Sequence, residues 1–161
     1  ASVSAWVNSQ FDLSLNWKDV EWIRSIWPGK LILKGIHDVE DAREAVRTGA
    51  QAMVVSNHGG RQLDGAPSSI SVLPKIADAV GSRMEVLFDG GIRSGQDVMR
   101  AIARGAKSCM IGRSYIYGLG AGGEAGVAKA LDIIAKELSV TMGLCGVNRI
   151  DEIGPQVIAE G

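Results

Sequence analysis

The chain is poor in the residues that build metal centres and disulfide scaffolds. Its 161 residues include two cysteines, Cys109 and Cys145, and two histidines, His37 and His58. Neither cysteine stands in a C-x-x-C or beside a histidine, so no metal-ligand spacing exists and no disulfide framework is expected. Cys109 lies in an apolar run and reads as a small core residue. Charge of one sign is also missing. Seventeen basic residues oppose 18 acidic ones, for a net charge of −1. That balance removes the electrostatic case for nucleic acid or an anionic membrane surface as partner. No apolar run approaches the ~20 residues that cross a bilayer, and no signal-peptide pattern opens the chain. Aromatics are sparse at 5%. The 46% hydrophobic and 22% charged contents are those of an ordinary globular domain.

What is present is short and buried. Four apolar runs stand out: Leu31-Ile32-Leu33, Ala52 to Val55, Val86-Leu87-Phe88 and Cys109-Met110-Ile111. Each is too short for a helix and is bounded by glycine or polar residues, which predicts fully buried strands. Helical patterns lie between them. Trp17, Val20, Ile23 and Trp27 predict a helix over Asn16–Trp27, ended by Pro28-Gly29. Asp38-Val-Glu-Asp41 resembles a capping box that opens a helix stopping at Gly49, and Ser94-Gly-Gln-Asp97 opens another stopping at Gly105. Ser69 to Val80 is a third, which Pro74 fits better if the helix starts near Ser71. A stripe of Val127, Leu131, Ile134, Leu138 and Met142 predicts a final helix over Glu124–Met142.

An internal repeat sets the architecture. DVEDAREAVRTGAQAMVVS lies on SGQDVMRAIARGAKSCMIG at one constant offset, with Asp41 on Asp97, Gly49 on Gly105 and Ala50 on Ala106. Each copy is a capped helix, a Gly-Ala stop and a buried strand, and each period holds two βα units. Alternating elements of this kind make a parallel α/β sheet. A repeat of two units points to the (β/α)8 TIM barrel rather than an open doubly wound sheet. A whole barrel takes about 250 residues and eight strands. The chain is therefore expected to be half of one: four βα units forming a single domain over residues 1–161, completed by strands carried elsewhere.

In such a barrel the chemistry sits at the carboxyl ends of the strands. Past the first run stands Lys34. Past the second stand Ser56, His58 and Arg61. Past the third come Asp89, Gly90, Gly91, Ile92 and Arg93, and past the fourth Gly112 and Arg113. One lysine, three arginines and a histidine on one rim call for an anionic ligand. Barrels often hold a phosphate in the loops after their last two strands. Glycine loops let backbone N–H groups reach phosphate oxygens, and Arg93 and Arg113 can add bidentate hydrogen bonds. Within SNHGGRQLDG, a neutral imidazole at His58 could take a proton while Arg61 fixes a carboxylate. His37 reads as a surface or loop residue. GLGAGG, from Gly118 to Gly123, matches G-x-G-x-x-G but does not follow a strand directly, so it is read as a flexible entry to the last helix rather than a dinucleotide site.

LILKGI, SNHGGRQLDG, DGGIRSGQDV and GAKSCMIGRSYIYGL strongly resemble the FMN-dependent (S)-2-hydroxy acid oxidases and dehydrogenases. That family includes glycolate oxidase, L-lactate dehydrogenase, mandelate dehydrogenase and the flavin domain of flavocytochrome b2. The resemblance runs from about Phe11 to Ile153 and matches the family's C-terminal half, strands five to eight. It implies FMN as cofactor and oxidation of a lactate, mandelate or glycolate class substrate to its 2-keto acid. By position, Lys34 would face N1 and O2 of the flavin, Ser56 would contact the flavin, His58 would be the base and Arg61 would bind the substrate carboxylate. Asp89 through Arg93, with Gly112 and Arg113, would bind the ribityl and phosphate groups.

The family's first half supplies active-site tyrosines and an aspartate that pairs with the histidine, and none is present here. The resemblance therefore implies a partner: the N-terminal half of the barrel, as another chain or segment. It further implies a homotetramer, oxygen or a quinone as electron acceptor, and a cytoplasmic place, with peripheral attachment to the inner membrane through the absent loop segment. The alternative is a non-catalytic phosphate-binding half-barrel, inactive without its partner.

Overall fold

The computed structural model describes residues 2–159. Its centre is a four-stranded parallel sheet in the order β1-β2-β3-β4, with β1 Ile32–Ile36, β2 Ala52–Val55, β3 Glu85–Phe88 and β4 Ser108–Cys109. Every neighbour in space is the neighbour in sequence. A doubly wound sheet reverses its strand order at the centre; consecutive βα units curling into a barrel do not. The register is regular, with Ala52 opposite both Ile32 and Glu85, and Val55 opposite Phe88. A bulge between Lys34 and Ile36 interrupts β1.

The helices are α1 Val3–Ser9, α2 Trp17–Ile26, α3 Val39–Arg47, α4 Ser69–Val80, α5 Gly95–Ala103 and α6 Arg113–Leu144. Their ends follow from their caps. Asn16 and Asp19 close a reciprocal box on α2, as Ser94 and Asp97 do on α5. Asp38 caps α3 by accepting the Glu40 N–H alone, so the repeat's first copy lacks the full box of its second. α3 stops before Gly49, as expected. Helix α1 answers to no pattern read from the sequence.

Four boundaries depart from expectation, one of them the last helix, which begins at Arg113 rather than Glu124. β1 runs on past Leu33, so Lys34 lies within the strand rather than beyond it. β4 stops at Cys109 rather than Ile111. α4 starts at Ser69, which leaves Pro74 inside the helix rather than in its first turn. The missing Pro74 N–H is tolerated because Leu73 and Ile76 beside it are fully buried and hold the helix by packing.

One core lies between sheet and helices. Met53, Val55, Val86 and Phe88 project toward Ala42, Ala45, Leu73, Ile76 and Val80. Strand alternation turns Lys34, Val54 and Leu87 to the opposite, concave face. α6 breaks at Gly122 and Gly123 and folds back on itself. Its C-terminal stretch packs on α5, where a Cβ on Gly95 would stand 1.9 Å from the Leu138 nitrogen. The GLGAGG stretch is thus helical as far as Ala121, and only its last two glycines form the break.

Candidate functional site

All four strand ends open on one cleft of about 590 Å3, within the ordinary range of ligand sites. It is lined by Lys34, His58, Gly59, Arg61 and the whole Asp89–Arg93 loop. Met110 through Ser114 and Ile116 complete it. The structure therefore brings together every residue picked out from the sequence except Ser56, which lies just beneath, 2% exposed.

Ser56 ties the floor of the cleft. Its Oγ accepts the Lys34 ammonium at 3.0 Å and the His58 backbone N–H at 3.1 Å. Lys34 Nζ also lies 3.0 Å from Asp89 Oδ2. This ion pair is partly exposed, so it adds little to stability. It does tie Lys34 on β1 to Asp89 just past β3, across the end of the intervening β2, at the cleft. The other Asp89 oxygen, Oδ1, is buried and has no partner. A buried acceptor in that state calls for a donor from a bound molecule.

His58 is exposed and opens a short 3-10 turn, His58–Gly60. Its φ of 56° makes it the one non-glycine with a left-handed backbone among the described residues. For a histidine this costs of order 1–3 kcal/mol and persists only where surroundings impose it. Two residues not picked out from the sequence do so. Asn57 donates its backbone N–H to Ser69 Oγ at 3.0 Å, and its side-chain amide reaches the Pro67 carbonyl at 3.4 Å. Behind them, Gly90 leaves no room for a side chain, since a Cβ there would stand 2.8 Å from Ser69 Oγ. Nothing in the spacing of Pro67-Ser68-Ser69 distinguishes these serines from ordinary helix-start residues.

The far side of the cleft is built for an anion. Gly112 precedes α6 without a side-chain capping bond, so the first helical N–H groups are left without a side-chain acceptor at the cleft. Arg113 starts that helix, with its Nη2 3.6 Å from where a Gly59 Cβ would stand. Arg93 is exposed on a loop whose shape Asp97 sets, its carboxylate accepting the Arg93 N–H at 3.1 Å and the Ser94 N–H at 3.0 Å. The Ser114 hydroxyl donates to the Ile92 carbonyl at 3.4 Å and joins the two loops. The Ile92 side chain belongs to the core, although the residue also borders the cleft. His37 lies in the loop between β1 and α3, as expected, but it is half-buried there and its Nε2 is enclosed without a partner. Among the described residues no cluster of His, Cys, Asp and Glu could hold a metal ion, and no helix is long and apolar enough to cross a membrane.

A sequence model of the FMN-dependent dehydrogenases matches residues 1–160. The L-lactate dehydrogenase of Chromohalobacter salexigens is 54% identical over 157 residues, covering 98% of this chain and 40% of that protein. That of Stenotrophomonas maltophilia is 56% identical over 149 residues, covering 92% and 39%. Among solved structures, the monotopic membrane protein (S)-mandelate dehydrogenase superposes with a TM-score of 0.92 at 37% identity, covering 98% of this chain and 42% of that one. A mandelate oxidase bound to (S)-4-hydroxymandelic acid gives a TM-score of 0.82 at 47% identity, covering 85% and 39%. The chain thus spans about two fifths of the length of these relatives.

Proposed function

Because this chain belongs to the FMN-dependent dehydrogenase family, we propose that it carries the base and the phosphate-binding loops of a barrel that oxidises an (S)-2-hydroxy acid to its 2-keto acid. The observation that carries this is the meeting of His58, Arg61 and Lys34 with two glycine-arginine loops in one cleft.

The residues fit FMN. Asp89 Oδ1, buried and unpartnered, suits a ribityl hydroxyl. Arg93, Arg113 and the amides after Gly112 suit the phosphate, and open space stands beside Gly91 and Gly112 where side chains would otherwise intrude. When bound, FMN supplies the acceptor for the two electrons. Lys34, fixed between Ser56 and Asp89, would offer a positive charge to a bound group that gains a negative one. Arg61 grips the substrate carboxylate, which orients the carbinol group toward His58. His58 then takes one proton from that group, its ring aimed by the left-handed turn.

The complete catalytic unit in this proposal has four further strands closing the barrel, and a homotetramer with oxygen or a quinone as final acceptor agrees with it. The test is the anaerobic visible spectrum of the complete flavoprotein before and after L-lactate or L-mandelate. Bleaching of the flavin bands supports the proposal. A flavin that neither acid bleaches would leave a phosphate-binding half-barrel without hydroxy acid chemistry.

A further inference from the structure

Ser69 is the first residue of α4, but its side chain serves another part of the molecule. Ser68 before it is the N-cap and makes no side-chain capping bond. Ser69 Oγ instead accepts the Asn57 backbone N–H at 3.0 Å, twelve residues back. The peptide so held leads directly into His58, the residue with the left-handed backbone. Two hydroxyls thus fix consecutive peptides: Ser69 takes the Asn57 N–H, and Ser56 takes the His58 N–H. The Asn57 carbonyl then accepts from Gly60 at 3.0 Å and closes the turn.

Ser69 also faces the loop after β3. A Cβ on Gly90 would stand 2.8 Å from Ser69 Oγ and 3.1 Å from Asn57 Oδ1. The serine therefore stands between the turn that carries His58 and the loop that carries Asp89 and Arg93. It is 2% exposed, so removing its hydroxyl takes a buried acceptor from the Asn57 N–H. It does not line the cleft.

We propose that Ser69 is a positioning residue, which acts through Asn57 to set where the His58 imidazole stands in the cleft and touches neither substrate nor cofactor. This rests on the assignment of His58 as the base. A left-handed histidine released from one of its two anchors relaxes toward ordinary backbone angles. The imidazole then leaves its place at the cleft, while the groups that bind the anion stay where they are.

The test compares Ser69→Ala with Ser69→Thr in the complete flavoprotein. Ser69→Ala should lower kcat per bound flavin about tenfold, while flavin content and KM for the hydroxy acid stay close to the parent's. Ser69→Thr keeps the acceptor oxygen and should restore most of kcat. Amide hydrogen exchange at Asn57 and His58 should quicken about tenfold in Ser69→Ala and stay slow in Ser69→Thr. An unchanged kcat per flavin in Ser69→Ala, or a loss that threonine does not restore, overturns the positioning role. If the parent oxidises no hydroxy acid, the His58 assignment fails. Exchange at Asn57 and His58 then decides by itself whether Ser69 holds the turn.

Discussion

Ser56 Oγ receives both the Lys34 ammonium and the His58 N–H, so one buried oxygen joins Lys34 to the turn that carries His58, the proposed base. In the proposed reaction, His58 and Arg61 in this turn nevertheless have separable tasks. His58→Gln keeps a polar side chain of similar reach but cannot act as the base. Turnover should fall by about 10^2- to 10^4-fold with flavin content unchanged. Arg61→Met removes charge-assisted bonds to a carboxylate and should raise KM by roughly ten- to a hundredfold, with a smaller change in kcat. Steady-state kinetics alongside flavin absorbance separates the two variants; equal kcat for His58→Gln and parent would end the assignment of the base. The cysteines divide just as plainly. Burial pushes the Cys109 thiol up to about 12 from an ordinary 9.0, whereas Cys145 is exposed. Because the folded value lies above the unfolded one, the fold favours the neutral thiol. That contribution is complete below about pH 9 and is lost as pH climbs toward 12. At pH 8 a thiol reagent should modify Cys145 and spare Cys109 until denaturant is added, and peptide mass mapping of the labelled chain would show it.

At the scale of elements, α6 turns back on itself at Gly122 and Gly123, and two other glycines let its halves touch. A Cβ on Gly126 would stand 1.9 Å from the Gly118 carbonyl oxygen, and one on Gly118 would stand 2.5 Å from that of Gly126. Backbone meets backbone here, so neither side can yield by changing a rotamer. Gly126→Ala should therefore destabilise by about 1–3 kcal/mol instead of giving the usual small gain of alanine in a helix. Gly120, helical with open space beside it, is the control, and its alanine variant should melt no lower than the parent. Thermal melts of the two variants decide the point. This helical pair also shows where the sequence was hard to read. Gly118 and Gly126 meet only after the chain has reversed, so GLGAGG resembles a flexible linker when read along the chain. The strands and capped helices were legible because their signals are local: an apolar run, a box such as Ser94 with Asp97, a Gly-Ala stop. Lys34, His58, Arg61 and the two arginine loops were legible because a parallel sheet sends every strand end to the same rim. Asn57 and Ser69 were not, since a serine at a helix start has an ordinary local explanation and its bond to Asn57 exists only in the fold.

Across the whole molecule, the two faces of the sheet have unlike fates. Helices cover the convex face and bury Met53, Val55, Val86 and Phe88. On the concave face, none of Ile32, Ala52, Val54 and Leu87 belongs to the core beneath the helices. Ala52 and Val54 are shaded at the centre of that face, but Ile32 is 50% exposed and Met110 37%. Parallel sheets are stable when both faces are covered, and β1 and β4 each present an edge with unpaired N–H and C=O groups. Four more strands closing a barrel would cover that face, pair both edges and bring the remaining wall of the cleft opposite His58 and Arg61. Expressed by itself, the 161-residue chain should therefore bind a hydrophobic dye such as ANS and associate as its concentration rises. Co-expressed with a segment carrying the other four strands, it should lose the dye signal and take up FMN. Light scattering and flavin absorbance on the two preparations separate the outcomes. A lone chain that stays monomeric and dark to ANS would mean that its concave face is closed by its own residues, and the barrel would have to be abandoned as the unit of function.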